Sequence, residues 1–343
     1  MKIYVAIPDN GTKGGVESLY QFASGCRDIG YQSYVYYFRQ TSKVYQIPES
    51  MSRKYNLHKA EKVEDSAENV IIFPEMYTYP LRKFHYIKKC IWFLSLNYYL
   101  ESDPVYKAKE SLRKRKLPKV LLPAAVIAMA AMTTSSFRRI RIHKEKIPYY
   151  LYNCEYAHNF INSVCNYPCF THYLCGPIDD IYFESLNIKK EKIVSYNPKK
   201  CTEYTNKVIE LVSDARPDIM FIPIQAMTIE KVREVLMRSS VYMDLGKFPG
   251  PERIPREAVM MNCNIITSML GSAGNNDIDV PIKSEYKFEL TDINLEKIQN
   301  LIIDMIDNYE LYVSFFDKYR QKVIEQKRRL HADIQEFLSA CSS

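Results

Sequence analysis

Apolar and polar positions follow two periods along this chain, and the periods take turns. Residues 2–7 (KIYVAI) are a short apolar run of strand type, and a glycine-bearing loop follows. Residues 16–29 then repeat apolar side chains at helical spacing, and residues 33–38 return to a strand, which opens a βαβ unit. Further strands are predicted at 70–73, 91–96, 149–152 and 172–174, with an amphipathic helix at 155–164. A second series begins near residue 192: strand 193–195, helix 202–212, strand 219–222, helix 229–239, strand 241–245, helix 255–261 and strand 264–267. From 294 to 337 the pattern is helical with short breaks. Two such series, separated near 176–190, predict an α/β protein of two doubly wound Rossmann-like domains facing across a cleft, with the last helices packed outside. The expected boundaries are 1–180, 181–310 and 311–343, with an insertion at about 100–146. No solenoid repeat or low-complexity tract interrupts them.

Composition narrows this little. The length of 343 residues suits two domains, and 47% apolar with 25% charged residues is that of a folded chain. Nine scattered cysteines fit reduced thiols better than a disulfide framework. The first residues read as a strand and not as a secretory signal, so a cytoplasmic location is expected.

Charge changes the picture. Residues 113–146 hold ten Lys and Arg against one acid, Glu145, an excess above the +7 of the whole chain, so the remainder is slightly acidic. Inside that window, residues 120–132 (VLLPAAVIAMAAM) carry no charge. Crossing a bilayer takes about 20 apolar residues, so the run is too short to span but suited to lie in the interface while its basic flanks meet anionic headgroups. A buried helix with solvated basic ends is the plainer reading. Nucleic acid is not expected, because Phe137 is the only aromatic among the positive charges.

Four loops could carry chemistry. After the first strand, Gly14 and Gly15 open a helix, where free amides attract phosphate; a mere tight turn is the alternative. Neither the dinucleotide nor the P-loop glycine spacing is present. After strand 193–195 come Tyr196-Asn197-Pro198-Lys199-Lys200, with Lys199 and Lys200 placed to meet a phosphate unless the loop is simply solvated. The densest stretch is residues 244–258 (DLGKFPGPERIPREA), in which a Gly/Pro loop including Gly250 carries Lys247, Arg253 and Arg256, and Glu257 is expected in the first helical turn. Another small-residue loop with Gly271, Ser272 and Ala273 follows the next strand. The last three together, at the carboxyl ends of neighbouring strands, predict a diphosphate site. Cys165, Cys169 and Cys175, near His158 and His172, lack zinc-pair spacing, so no metal site is expected. No G-x-S-x-G elbow is present.

On GGVESLY at Gly14, FPEMY at Glu75, IWFLSLNYY at Trp92, YNPKK, and above all SVYMDLGKFPGPERIPREAVMMNCNIITSMLGSA, the chain resembles the GT-B fold glycosyltransferases of bacterial capsule and O-antigen assembly related to family 4. The resemblance implies transfer of a sugar from a nucleotide diphosphate sugar to a lipid-linked or polysaccharide acceptor, with no tightly bound cofactor and no metal. It implies that Glu257 binds the donor ribose and that Lys199 and Lys200 hold the diphosphate. Arg253 and Arg256 would join them in stabilising the leaving group, where charge develops. Gly14 and Gly15 would shape the cleft, with Gly250, Gly271, Ser272 and Ala273 on the donor side. Glu17 and Glu75 are the carboxylates for a general base, if the reaction needs one. The family's second glutamate, eight positions before Glu257, is Pro249 here, which leaves the donor-sugar contact made there unassigned. The basic apolar segment at about 113–146 would dock the protein on the inner face of the cell membrane. A nucleotide-sugar epimerase or dehydrogenase, or a non-catalytic membrane-associated scaffold, are the competing readings.

Overall fold

The strand-type runs assemble into two separate parallel sheets. In this computed structural model the described residues are 1–9, 11–12, 14–38, 45–101, 103–132, 140–184, 189–275 and 277–342. Lys13, Phe137, Arg138 and Arg139 lie outside them, and Lys114 and Lys119 are described by their backbone alone. Two compact units result: Met1–Asn153, Ala157–Gly176 and Arg329–Ser343 form the first, Cys154–Tyr156 and Pro177–Arg328 the second.

The first unit contains strands β1 (Lys2–Ile7), β2 (Gln32–Tyr37), β3 (Val70–Pro74), β4 (Lys88–Phe93), β5 (Tyr149–Tyr152) and β6 (Phe170–Tyr173), in the order β2-β1-β3-β4-β5-β6. Helices α1 (Gly15–Asp28), α2 (Glu49–Lys54), α3 (Leu96–Glu101), α4 (Pro104–Lys114), α5 (Leu122–Met132) and α6 (Glu155–Val164) connect them. All five pairings are parallel. Central strands such as β3 (VIIFP) are buried along their whole length, which is why they read as unbroken apolar runs. Trp92 and Phe22 meet at 5.7 Å in this core, beside Ile72, Leu151 and, from the end of the chain, Ile334 and Phe337.

The second unit repeats the plan with β7 (Glu191–Tyr196), α7 (Thr202–Ala215), β8 (Met220–Pro223), α8 (Ile229–Arg238), β9 (Ser239–Asp244), α9 (Arg253–Met260), β10 (Asn264–Ser268), α10 (Ser272–Asn275) and β11 (Lys287–Phe288). Its sheet runs β11-β10-β9-β7-β8 and its pairings are parallel. Helices α11 (Leu295–Asp307), α12 (Tyr309–Val313) and α13 (Asp317–Ser342) end the chain. Tyr319 and Val323 of α13 are buried in the second unit's core, and its Ile334, Phe337 and Leu338 in the first unit's.

Three expectations shift, the first being β6, which occupies 170–173 and not 172–174 because it pairs with β5 from Tyr149 onward. β4 occupies 88–93 and not 91–96, because the ladder from Val70 to Lys88 draws two lysines into the strand before the chain turns at Leu94. α9 starts at Arg253, two residues early, since Pro255 costs nothing in a first turn whose amides have no helical partners. Glu257 therefore falls in the second turn of α9, not the first.

Candidate functional site

Both sheets reverse their strand order once, between β1 and β3 and between β7 and β9. In open parallel sheets the crevice beyond the carboxyl ends at such a reversal is where ligands enter. The loops singled out from sequence stand at these two places: those after β7 and β9 carry Lys199, Lys200 and Gly250, and those after β1 and β3 carry Gly14, Gly15 and Glu75.

In the second unit, α7 and α9 begin beside the reversal with no side-chain cap, and α7 starts from Cys201 at a left-handed φ of 53°. By contrast α8, at whose start Thr228 accepts from Lys231, is capped. Uncapped first turns present backbone N–H groups to an anion. Asn197 shapes the β7 loop by accepting from the Lys199 amide at 3.1 Å and donating to Asp244 at 3.1 Å. Lys199 is exposed. Lys200 instead turns inward: its Nζ lies 2.7 Å from Glu252, 4.0 Å from Asp244 and 5.2 Å above the Phe248 ring. Its stem fills the space a Cβ on Gly246 would need, 2.2 Å away, so the glycine is there to admit the lysine.

The β9 and β10 loops are stapled to each other. Phe248 N–H donates to the Leu270 carbonyl at 3.0 Å and Ser272 N–H to the Phe248 carbonyl at 2.9 Å. Ser268 and Ser272 hydroxyls donate to the carbonyls of Gly246 and Gly250 at 2.6 and 2.7 Å. Gly271 sits at φ +73°, and a Cβ there would stand 2.1 Å from the Phe248 oxygen, a contact only glycine avoids. Ala273 is buried behind this staple.

On α9, Arg253 and Glu257 form an ion pair one turn apart, and burial raises the Glu257 carboxyl above its ordinary range while Arg253 pulls it back. Burial likewise raises Glu252, opposed by Lys200. Arg256 is 8% exposed and is spent on the frame: Nε donates to the Glu252 carbonyl and Nη1 to Gln326 of α13, both at 3.2 Å. The edge therefore gathers Lys199, Lys200, Arg253, Glu257, Gly250, Gly271 and Ser272, while Arg256 reaches from α9 to the Glu252 carbonyl and to Gln326. A broad concavity of about 1350 Å³ opens at the other end of the same sheet, by Lys190, Met261 and Arg320, remote from these loops.

In the first unit, α1 starts at an uncapped Gly14 with φ 61°, and Gly15 lets the helix approach Leu94, whose Cδ1 would be 3.3 Å from an added Cβ. Glu75 is 3% exposed at the end of β3, with its oxygens accepting from the Leu94 and Ser95 amides at 3.0 and 3.2 Å. Burial pushes its carboxyl up to about 7 in spite of those amides. Glu17 is buried and held by Lys54 at 2.7 Å and Tyr55 at 3.1 Å.

After β4, α4 is capped by Asp103, which accepts from the Val105 amide at 2.7 Å, and α5 is apolar around its whole circumference. Val120 is 81% and Ile127 72% exposed, next to exposed Arg113, Arg115 and Lys116. No helix among the described residues is long and apolar enough to cross a membrane.

Sequence reasoning gave no role to Asp244, Gly246, Phe248 or Glu252, although all lie in the stretch it found densest. The Gly/Pro content marked a rigid loop there, but the partner of Lys200 depends on how β7 and β9 pair in space.

No known protein family matches the sequence, and no curated protein matches it. Solved structures do share its fold. Sucrose-phosphate synthase from Thermosynechococcus elongatus aligns with a TM-score of 0.62 at 10% identity over 99% of this chain and 98% of that one. HepE from Anabaena, in complex with UDP, aligns at 0.55 and 10% over 99% and 100%. TarM from S. aureus aligns at 0.55 and 12%, over 82% of this chain but only 57% of its own, so the match spans little more than half of TarM. WaaG, a glycosyltransferase involved in lipopolysaccharide biosynthesis, aligns at 0.54 and 9% over 98% of each. These neighbours are GT-B glycosyltransferases, and the chain has their fold of two parallel sheets with surrounding helices.

Proposed function

We propose that the chain is a glycosyltransferase related to family 4 that moves a sugar from a nucleoside diphosphate sugar to a lipid-linked or polysaccharide acceptor in bacterial surface-glycan synthesis. The observation that carries this is the second sheet's reversal point, where two uncapped helix starts, Lys199, Lys200 and the stapled small-residue loop stand at one edge. HepE, of the same fold, is solved with UDP-glucose, and WaaG acts in lipopolysaccharide biosynthesis, which supports both the donor class and the acceptor class.

Donor binding would place the diphosphate against the α7 and α9 amides, with Lys199 and Arg253 at its flank. Lys200 would exchange Glu252 for phosphate, and the negative charge that develops on the leaving group would be met by fixed cations and dipoles. We assign that charge to these groups and give no role to a metal or a resident cofactor. Glu257 would accept from the ribose hydroxyls, with Arg253 holding its orientation. Arg256 positions the loop and does not touch the donor. On the acceptor side, Gly14 and Gly15 let the backbone approach the sugar. Glu75, whose carboxyl is near neutrality, and Glu17 are the carboxylates available there for proton transfer.

The α4–α5 region would bring the protein to its acceptor. Exposed Val120, Leu121 and Ile127 would enter the interface of an anionic cytoplasmic leaflet while Arg113, Arg115 and Lys116 meet its headgroups, each basic residue contributing about 1 kcal/mol.

The deciding experiment is thermal stability of the wild type and of Glu257→Gln against UDP, GDP, dTDP, CMP and NAD. One nucleoside diphosphate should stabilise the wild type alone; ligand at about 100 times its dissociation constant adds roughly 2.7 kcal/mol. A response to NAD only would favour the oxidoreductase reading, and equal stabilisation of wild type and variant would remove Glu257 from the site.

A further inference from the structure

The edge strand of the first sheet carries a side-chain cluster that the donor chemistry leaves unused. β6 is the outermost strand, and its His172 lies by α13, where Asp333 and Glu336 are three residues apart and so share a helix face. Each of the three offers one ligand atom, a ring nitrogen from His172 and an oxygen from each carboxylate, and these atoms all lie within 4.8 Å of one another. Asp333 is buried and Glu336 is exposed. Arg329, one turn earlier, donates from Nε to Asp333 and from Nη2 to Glu336, both at 3.0 Å.

His172 is held by its ring and not by its nitrogens. It stacks on Phe170 with centroids 6.0 Å apart and planes 11° from parallel, while its Nε2 is buried without a hydrogen-bond partner. Buried ring nitrogens normally have one, so an imidazole with an unpaired buried nitrogen, in a side chain that also offers a ring nitrogen to two carboxylates, needs an explanation. The charge of an imidazolium would be met by Asp333, but among the described residues neither Asp333 nor any other group accepts from Nε2.

We infer that His172, Asp333 and Glu336 bind a first-row divalent cation of the zinc type. One imidazole and two carboxylates suit zinc, whereas calcium and magnesium take all-oxygen sets. Bonds of about 2.1 Å around a tetrahedral ion hold ligand atoms roughly 3.5 Å apart, a closure that rotation of the long, exposed Glu336 side chain can provide. Arg329, whose side chain is 43% exposed, now neutralises both carboxylates and would be displaced outward, so guanidinium and metal compete for the same oxygens. The ion would clip the end of α13 to β6 and so cover the open edge of the sheet. Sequence spacing is silent about such a site, because His172 lies at the middle of the chain and the two acids some 160 residues later.

The test is zinc titration of the metal-stripped full chain in competition with a chromophoric chelator, together with the absorption spectrum of the cobalt-substituted protein. The wild type should bind one zinc. Glu336→Gln, a surface change that leaves folding intact, and His172→Ala should each weaken it by more than the about 10–100-fold that loss of a mere supporting neighbour costs. Arg329→Ala should bind zinc more tightly, and the cobalt spectrum should lack thiolate charge-transfer bands, which separates this site from the nine cysteines. No stoichiometric zinc at micromolar concentration, binding that survives Glu336→Gln and His172→Ala, weaker binding by Arg329→Ala, or thiolate bands would each overturn the inference.

Discussion

Replacing Glu75 with Gln should change how the first unit's stability depends on pH, and the size of the effect follows from where Glu75 sits. Its carboxyl is pushed from the ordinary 4.5 to about 7, chiefly because burial penalises the charged form. A carboxyl whose pKa is higher in the fold than in the unfolded chain stabilises the fold fully below pH 4.5 and ceases to do so as pH rises through about 7. At about 1.4 kcal/mol for each pH unit between those values, the wild type should lose roughly 3 kcal/mol across that window. Glu75→Gln cannot ionise and should not share the loss, although its NH2 accepts no hydrogen bond and so meets one of the Leu94 and Ser95 amides donor to donor, which costs about 1–3 kcal/mol at every pH. The variant should therefore be the less stable protein at pH 4.5 and draw level with or pass the wild type by pH 8. Trp92, the single tryptophan, is fully buried in β4 opposite Pro74, the residue before Glu75, so its emission during urea unfolding reports this region. Other titrating groups cancel in the difference between the two proteins. A stability gap that stays constant from pH 4.5 to pH 8 would falsify the reasoning, and would mean that the two amides compensate for burial.

Three further perturbations probe the rest of the molecule. Gly271→Ala should destabilise the second unit by about 3 kcal/mol or more, since left-handed strain of about 1–2 kcal/mol is joined by a clash with a Phe248 oxygen fixed by its bond to Ser272; Gly30→Ala, at φ +93° in open space, should show the strain alone in denaturant titration. Equal effects at the two glycines would remove the clash from the account. Lys190→Met should cost about 3 kcal/mol of unfolding free energy, because the Lys190 ammonium donates to the carbonyls of Leu236, Ser239 and Met261 at 2.9, 2.8 and 2.5 Å and the change strips Met261 of this donor and leaves Leu236 and Ser239 to the weaker Cys263 thiol; an unchanged urea midpoint would show that water replaces it. Val120→Asp with Ile127→Asp should leave thermal stability within about 0.5 kcal/mol, both positions being exposed, and yet abolish flotation with anionic vesicles; a wild type that does not float with them would end the membrane proposal.

Much of the architecture was legible in the order of apolar runs. Two βα series can bury their continuous strands only between helices, so KIYVAI, VIIFP and their counterparts in the second half already specified parallel sheets, and the Gly/Pro loops marked the sheet edge where we propose the site. Local chemistry fixed these features, because apolar periodicity and backbone freedom are properties of neighbours in the chain. What each polar side chain does was decided by tertiary structure. Lys199 and Lys200 look alike in YNPKK, yet one is exposed and the other is locked to Glu252, because a β7 loop and a β9 loop come together only once the strands pair. Arg253 and Arg256 look alike on α9, yet the helix turns one towards Glu257 and the other onto Gln326 of a helix seventy residues on. Glu75 gives no hint in sequence that burial will bring it near neutrality, nor do His172, Asp333 and Glu336 that they will meet. Ionisation and pairing energies depend on distance and on exclusion of water, and the linear order of residues contains neither.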